Sequence, residues 1–243
     1  LSETTFLLPP TPAATAHGAD YRVRIFTPAG ELAFACHPTL GSCHAWLASG
    51  GQPKRADVVV QECAKGLITV EHQANSLAFV APSLQRSDVP ADLLQQVLHA
   101  LQLDASQLQA AQWLDNGSRW MGLLMRDVAH LAHAQPNGAA LRQLGVKAGL
   151  CALHPTTGND ESVLEVRAIT LTAHGIAEDP ATGSLNASLA LWLTAEQHLQ
   201  LPYRVQQGAA IGRAGRMRLY AGDNSEVWVQ GHVRRAIQGI VHI

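Results

Sequence analysis

Residues 21–26 alternate apolar and basic side chains, with Tyr21, Val23 and Ile25 on one side and Arg22 and Arg24 on the other. A period of two marks a strand with one buried face. Short runs rich in Val, Ile, Leu and Phe recur at 58–63, 67–72 and 77–81, separated by Gly, Asn or charged residues, and predict a meander. Residues 120–125, 146–153, 163–169, 216–220 and 227–233 predict further strands. Gly222-Asp223-Asn224, between the last two, is a turn signal.

Helical spacing is rarer. Leu93, Leu94, Val97, Leu98 and Leu101 predict an amphipathic helix over 91–103, and residues 139–144 predict another that stops at Gly145. Residues 40–49 and 184–193 differ in kind, because both are apolar nearly all round. A helix without a polar face is buried on every side. Two such helices among many strands predict an α+β fold in which mostly antiparallel sheets wrap around a central helix, twice.

The chain repeats itself in support of this. Shifted by 142 residues, HPTLGSCHAWL, beginning at His37, meets DPATGSLNASL, beginning at Asp179, with five identities in eleven positions. Pro38 matches Pro180, Gly41 matches Gly183 and Ser42 matches Ser184, while His37 meets Asp179. Each copy follows a strand carrying an arginine, Arg24 or Arg167. Two pseudo-symmetric halves are therefore expected, at residues 1–114 and 115–243. In each copy Gly-Ser opens a helix, where unpartnered backbone N–H groups and a partial positive charge favour an anion. Two such helix starts suit a carboxylate substrate and an enolate-like intermediate.

Composition narrows the partners. Of 243 residues, 47% are hydrophobic and 15% charged, enough for a core and too little charge for disorder. Seventeen Lys and Arg against nineteen Asp and Glu leave a net charge of -2, which argues against nucleic acid. No apolar run is long enough to span a bilayer. Cys36, Cys43, Cys63 and Cys151 form no CxxC pair, so a reduced, cytoplasmic setting is expected. His130 and His133 share helical spacing but lack a third ligand, and no metal is expected. No phosphate loop, dinucleotide fingerprint or nucleophile elbow is present.

Four ordered segments carry a resemblance to a known family. EDPATGS at 178–184, CHPTLG at 36–41, SETTF at 2–6, and Gln207-Gly208 with Gly212-Arg213 resemble the signatures of the PhzF-like (phenazine biosynthesis) proteins, relatives of diaminopimelate epimerase. The resemblance implies two sheet-around-helix halves with an active site in the cleft between them. It implies proton transfer without a cofactor, as in isomerisation of trans-2,3-dihydro-3-hydroxyanthranilate, and a homodimer. It assigns the acid/base to Glu3, with His37, Asp179 and Ser184 helping to hold the substrate and pass the proton. Cys36, Gly41, Ser42, Thr182 and Gly183 are the expected substrate-binding positions.

The chain also departs from the family pattern. Cys36 stands where Gly is usual, Leu185 where Ala is usual, and 171–174 read LTAH where an aromatic and a Pro are common. The last two changes are expected to reshape the pocket. The family pattern has a first strand before the position of Leu1, and a first sheet lacking that strand would be expected to expose an edge. Two alternatives stand beside the isomerase: a non-catalytic small-anion-binding protein, and a racemase that uses Cys36 as a thiolate near a helix start.

Overall fold

The computed structural model describes residues 3–27, 30–73, 76–155, 163–172 and 175–240; Ser2, Ala173 and His174 fall outside them. Two compact units divide the chain, Leu1–Val80 with Gln230–Ile243, and Ala81–Val229. The first contains β1 (Thr4–Leu8), α1 (Pro12–Ala16), β2 (Tyr21–Thr27), β3 (Gly30–Leu32), α2 (Cys36–Ala48), β4 (Val58–Cys63), β5 (Gly66–Gln73) and β6 (Ser76–Val80). Its strands lie in the order β1-β2-β4-β5-β6, with β3 on β2. β4 runs parallel to β2, and β4, β5 and β6 form the antiparallel meander. Parallel neighbours need a crossover, and α2 supplies it. The alternation of β2 sends Tyr21, Val23 and Ile25 inward against Cys43, Val59, Val70 and Leu77. The Tyr21 ring stacks on Trp46 at 5.3 Å.

The second unit contains β7 (Gln85–Ser87), α3 (Ala91–Leu101), β8 (Leu108–Asp115), β9 (Arg119–Met125), α4 (Val128–His133), α5 (Gly138–Leu144), β10 (Ala148–Leu153), β11 (Val163–Thr172), β12 (Gly175–Asp179), α6 (Gly183–Ala195), β13 (Tyr203–Gln207) and β14 (Gly215–Ala221). β15 (Val227–Gly231) leads out of it. The order is β7-β8-β9-β10-β11-β13-β14-β15, with β12 on β11. β9 and β10 pair in parallel across α4 and α5, and β11 and β13 across α6. Gly145 ends α5 at φ 66°, as its sequence position predicts.

The two all-apolar helices behave differently. α6 is buried along its length, with Leu185, Ala187, Leu189, Ala190, Trp192 and Leu193 each at most 2% exposed. α2 is not. Thr39, Ser42 and Cys43 are buried, but His37, Ala45 and Ala48 are exposed. The paired strands of the first unit line one side of α2, and positions 37, 41, 45 and 48 form the opposite stripe. α2 also begins earlier than its composition suggests, at Cys36, because Pro38 is tolerated in a first turn. The expectation of an all-round buried helix over 40–49 is corrected on both counts.

Both units use one device next to the crossover helix. Arg24 on β2 pairs with Glu31 on β3, and Arg167 on β11 pairs with Glu178 on β12, each through Nε and Nη2. The diagonal register is the same: Glu31 lies opposite Phe26 and Glu178 opposite Ile169, two residues beyond the arginine. Burial separates them, with side chains 45% and 37% exposed in the first pair against 7% and 9% in the second. Arg167 Nη1 also donates to the Leu131 and Ala134 carbonyl oxygens at 3.1 and 2.7 Å. Removing one partner of a buried pair costs about 3–5 kcal/mol, whereas exposed pairs contribute little. Urea unfolding should therefore show Arg167→Met losing about 3–5 kcal/mol, while Arg24→Met leaves the midpoint nearly unchanged.

Candidate functional site

β12 ends at Asp179, and the chain must turn sharply at Pro180 to enter α6 at Gly183. The turn is held from three directions. Arg167 grips Glu178, and the β11 backbone pairs with the Asp179 backbone through Ala168. Gly208 and Gly215 admit Pro180: a Cβ at Gly215 would fall 2.2 Å from the Pro180 oxygen, and one at Gly208 would fall 3.1 Å from the same atom. Gly208 and Gly215 are thus explained by close backbone approach, and Gly208 also needs its φ of +91°. Gln207, 1% exposed, completes the hold. Its Oε1 accepts from the Thr182 N–H at 3.1 Å and Asn186 Nδ2 at 2.8 Å. Its Nε2 donates to the Asp179 carbonyl at 2.7 Å and to Thr182 Oγ1 at 2.9 Å.

Thr182 is the N-cap residue of α6, yet its side chain makes no capping bond. A Thr in this position ordinarily accepts from an N–H of the first turn. Here the hydroxyl donates to Asp179 Oδ2 at 2.7 Å instead. The N–H groups of Gly183, Ser184 and Leu185 are left without intrahelical partners, at the end of the helix where negative charge is favoured. Ser184 is half-buried, and its carbonyl accepts from Asn116 Nδ2 at 2.9 Å, which anchors the β8–β9 turn to this helix start. Asp179, Thr182, Gly183 and Ser184 are thus gathered on one turn.

In the first unit the repeat is looser. Gly41 and Ser42 lie in the second turn of α2, where backbone N–H groups bond within the helix, so the helix start found at Gly183 has no counterpart at Gly41. Ser42 is buried, and its hydroxyl donates to Thr5 Oγ1 at 3.0 Å, tying β1 to α2. Glu3 directly precedes β1 and is half-buried. Cys36 is 6% exposed, whereas His37 and Gly41 lie on the open stripe of α2. A Cβ at Gly41 would meet nothing within 4 Å. Thr39 accepts from Gln61 Nε2 at 3.1 Å, and Gln61 Oε1 accepts from the Tyr21 hydroxyl at 2.7 Å. A buried glutamine on the parallel strand thus meets a threonine of the motif in each unit.

Other expectations resolve simply. Leu185 does not line an opening but is fully buried, with its Cδ1 where a Cβ on Gly149 would stand. The other three cysteines are buried, and desolvation raises each thiol, pushing Cys43 up to about 12. Among the described residues, no three His, Cys, Asp or Glu are grouped to hold a metal. His130 Nδ1 lies 2.9 Å from Asp127 Oδ2. No helix among the described residues is long and apolar enough to cross a membrane. The sequence analysis places Gln207 only within a motif and misses Asn116, for which the Asn116-Gly117 turn pair is the available signal.

Comparison with known proteins converges on one family. A family model described as phenazine biosynthesis-like protein matches residues 1–239. The chain is 32% identical over 228 residues to a trans-2,3-dihydro-3-hydroxyanthranilate isomerase of Pseudomonas aeruginosa, covering 89% of this chain and 74% of that one. It is 27% identical over 253 residues to antisense-enhancing sequence 1 of Schizosaccharomyces pombe, covering 98% and 84%. Among solved structures it is similar to a PhzF-family phenazine biosynthesis protein from Bacillus anthracis, with a TM-score of 0.75 at 18% identity over 96% of this chain and 82% of that one. That last likeness bears on the fold alone.

Gly215 and Gly41 should respond oppositely to a methyl group. Gly215→Ala drives a Cβ into the Pro180 oxygen, and its unfolding free energy should fall by about 1–3 kcal/mol. Gly41→Ala adds a methyl group to a helix interior with open space around it, and should gain about 0.5–1 kcal/mol. Chemical denaturation of the two variants checks both signs.

Proposed function

Since the chain belongs to the phenazine biosynthesis-like family, we propose that it is a cofactor-independent isomerase or epimerase that moves a proton on a small carboxylate. The observation that carries this reading is the start of α6, where Thr182 turns from capping to Asp179 and leaves the first-turn N–H groups to an anion. Those N–H groups, from Gly183 and Ser184, would bind the carboxylate or an enolate-like oxygen. Glu3 is the proton carrier by its place in the SETTF segment. His37, Asp179 and Ser184 hold the substrate and pass the proton. Gly41 contributes space on the open stripe of α2 beside His37, while Cys36 and Ser42, which are buried, hold the helix that carries them. A relative named for trans-2,3-dihydro-3-hydroxyanthranilate supports that compound as the first substrate to try. The same reading makes the protein a cytoplasmic homodimer whose two strand–hairpin–helix runs descend from one duplicated half.

The test is proton NMR in D2O with trans-2,3-dihydro-3-hydroxyanthranilate and a panel of small amino and hydroxy acids. Enzyme-dependent deuterium at a substrate carbon is expected. General acid–base catalysis typically contributes about 10²–10⁴-fold, so Glu3→Gln should slow exchange by that order. Cys36→Ala should leave it within a few-fold. Exchange that survives Glu3→Gln but is lost in Cys36→Ala would establish the thiol-dependent racemase instead. Ligand line broadening with no exchange would establish an anion-binding protein.

A further inference from the structure

The side-chain contacts of Gln207 fix more than the shape of the turn. Both ends of its amide are committed, and the two ends are not interchangeable. Oε1 faces two donors, the Thr182 N–H and Asn186 Nδ2, while Nε2 faces the Asp179 carbonyl and the Thr182 hydroxyl. Reversing the amide would set hydrogen against hydrogen on one side and leave the Asp179 carbonyl facing an oxygen on the other. Asn186 is constrained in the same way, since Nδ2 serves both the Thr182 carbonyl at 2.9 Å and Gln207 Oε1. Its Oδ1 is left buried with no partner among the described residues. A core tolerates an orphan acceptor when the donor end is needed elsewhere.

The consequence reaches Asp179. Because Gln207 Nε2 already donates to Thr182 Oγ1, the hydroxyl's own hydrogen is free to point at Asp179 Oδ2, 2.7 Å away. A hydroxyl that accepts on one side and donates on the other relays the direction of the first bond to the second. Ala181 N stands 3.5 Å from Asp179 Oδ1, so Oδ2 is the more firmly held of the two oxygens. We propose that Gln207 is a positioning residue that acts through Thr182 to fix the rotamer of Asp179 and present its carboxylate to substrate as a hydrogen-bond acceptor. Thr182 then belongs to this relay, 6% exposed, rather than to the substrate contacts. The inference rests on the reading of Asp179 as a group that helps to pass the proton, and deepens it.

The discriminating variants are Gln207→Glu, Thr182→Val and Thr182→Ser. Gln207→Glu keeps the shape and the Oε1 acceptor but turns the donor end into an acceptor, so the Thr182 hydrogen is drawn away from Asp179. Thr182→Val removes the hydroxyl at constant volume, and Thr182→Ser restores it. Partners that orient a metal-ligating side chain typically contribute about 10–100-fold, and the same order is expected for the partner of a carboxylate. Gln207→Glu and Thr182→Val should each lower kcat by that order with KM within twofold, and the double variant should be no worse than either alone. Thr182→Ser should stay within a few-fold of the wild-type kcat.

A second readout needs no turnover. The side-chain carboxyl carbon of Asp179, followed by carbon-13 NMR at neutral pH, should shift in Gln207→Glu and Thr182→Val and hold its place in Thr182→Ser. Should Gln207→Glu fail to fold, the Thr182 pair carries both readouts. An unmoved Asp179 resonance in Thr182→Val overturns the relay, whatever the activity. Activity that falls through KM and thermal midpoint together, with no rescue by Thr182→Ser, reduces Gln207 to a structural support and also overturns it. A resonance that moves as expected in a protein that exchanges no substrate proton upholds the relay and removes the isomerase reading instead.

Discussion

The passage from β12 into α6 buries polar backbone inside the second unit, and much of the surrounding structure follows from satisfying it. Buried N–H and carbonyl groups must find partners. A side-chain cap would satisfy the first turn of α6 but would also occupy its donors. The chain takes another route. A glutamine on the neighbouring parallel strand supplies both a donor and an acceptor to the turn from behind, at Asp179 and Thr182. Thr182 is then released from capping, and the helix N-terminus keeps its N–H groups. Gly208 and Gly215 are small because the proline of the turn lies against their backbone. Arg167 is buried because Glu178 must be held where the hairpin meets the helix.

The first unit runs through the same order of elements, from an arginine-bearing strand through a short hairpin and a helix to a parallel strand. It keeps the arginine–glutamate diagonal and a glutamine–threonine bond. It does not keep the helix start. α2 begins at Cys36 rather than at the glycine, and so Thr39 enters the helix where Thr182 stands before one. One motif therefore produces two local structures. With Gly183 at its first position, α6 offers backbone donors. With His37 and Gly41 on an open stripe, α2 offers a ring and empty space.

Period and punctuation made much of this legible. The segments at 21–26, 58–63 and 163–169 become strands, since each has the β-branched or alternating pattern that a half-buried or buried strand requires, and 120–125 becomes one as a short continuous apolar run. β1, β8 and β13 escaped that reading for physical reasons. β1 is largely exposed, β8 is diluted by Gln and Ala, and β13 is a five-residue segment with three polar members. The two central helices showed where apolar patterning stops being decisive: it gave α6 its burial, but α2 has an apolar outer stripe that the strands of its own unit do not cover. The site was legible where it is contiguous, at 179–184. Gln207 was not legible as a hydrogen-bonding hub, because its partners lie 21 to 28 residues away and only the parallel pairing of β11 with β13 brings them together.

Leu185 shows how a departure from the family pattern can be absorbed without touching chemistry. It follows Ser184 directly, and its sequence position predicts a narrowed opening. Instead it points into the sheet, where Gly149 on β10 leaves room that no other residue could. About two turns further on, Trp192 meets Gly122 on β9 in the same way, with its Cζ3 at 3.0 Å from where a Cβ would stand. Interiors are packed close to solid density, so a large side chain on the helix demands a missing one on the strand. Large-to-small pairs of this kind tie α6 to the sheet and set its height above β10. That height fixes where the N–H groups of Gly183 and Ser184 stand. The substitution at 185 thus belongs to the packing that aims the helix, while recognition is left to the residues that precede it.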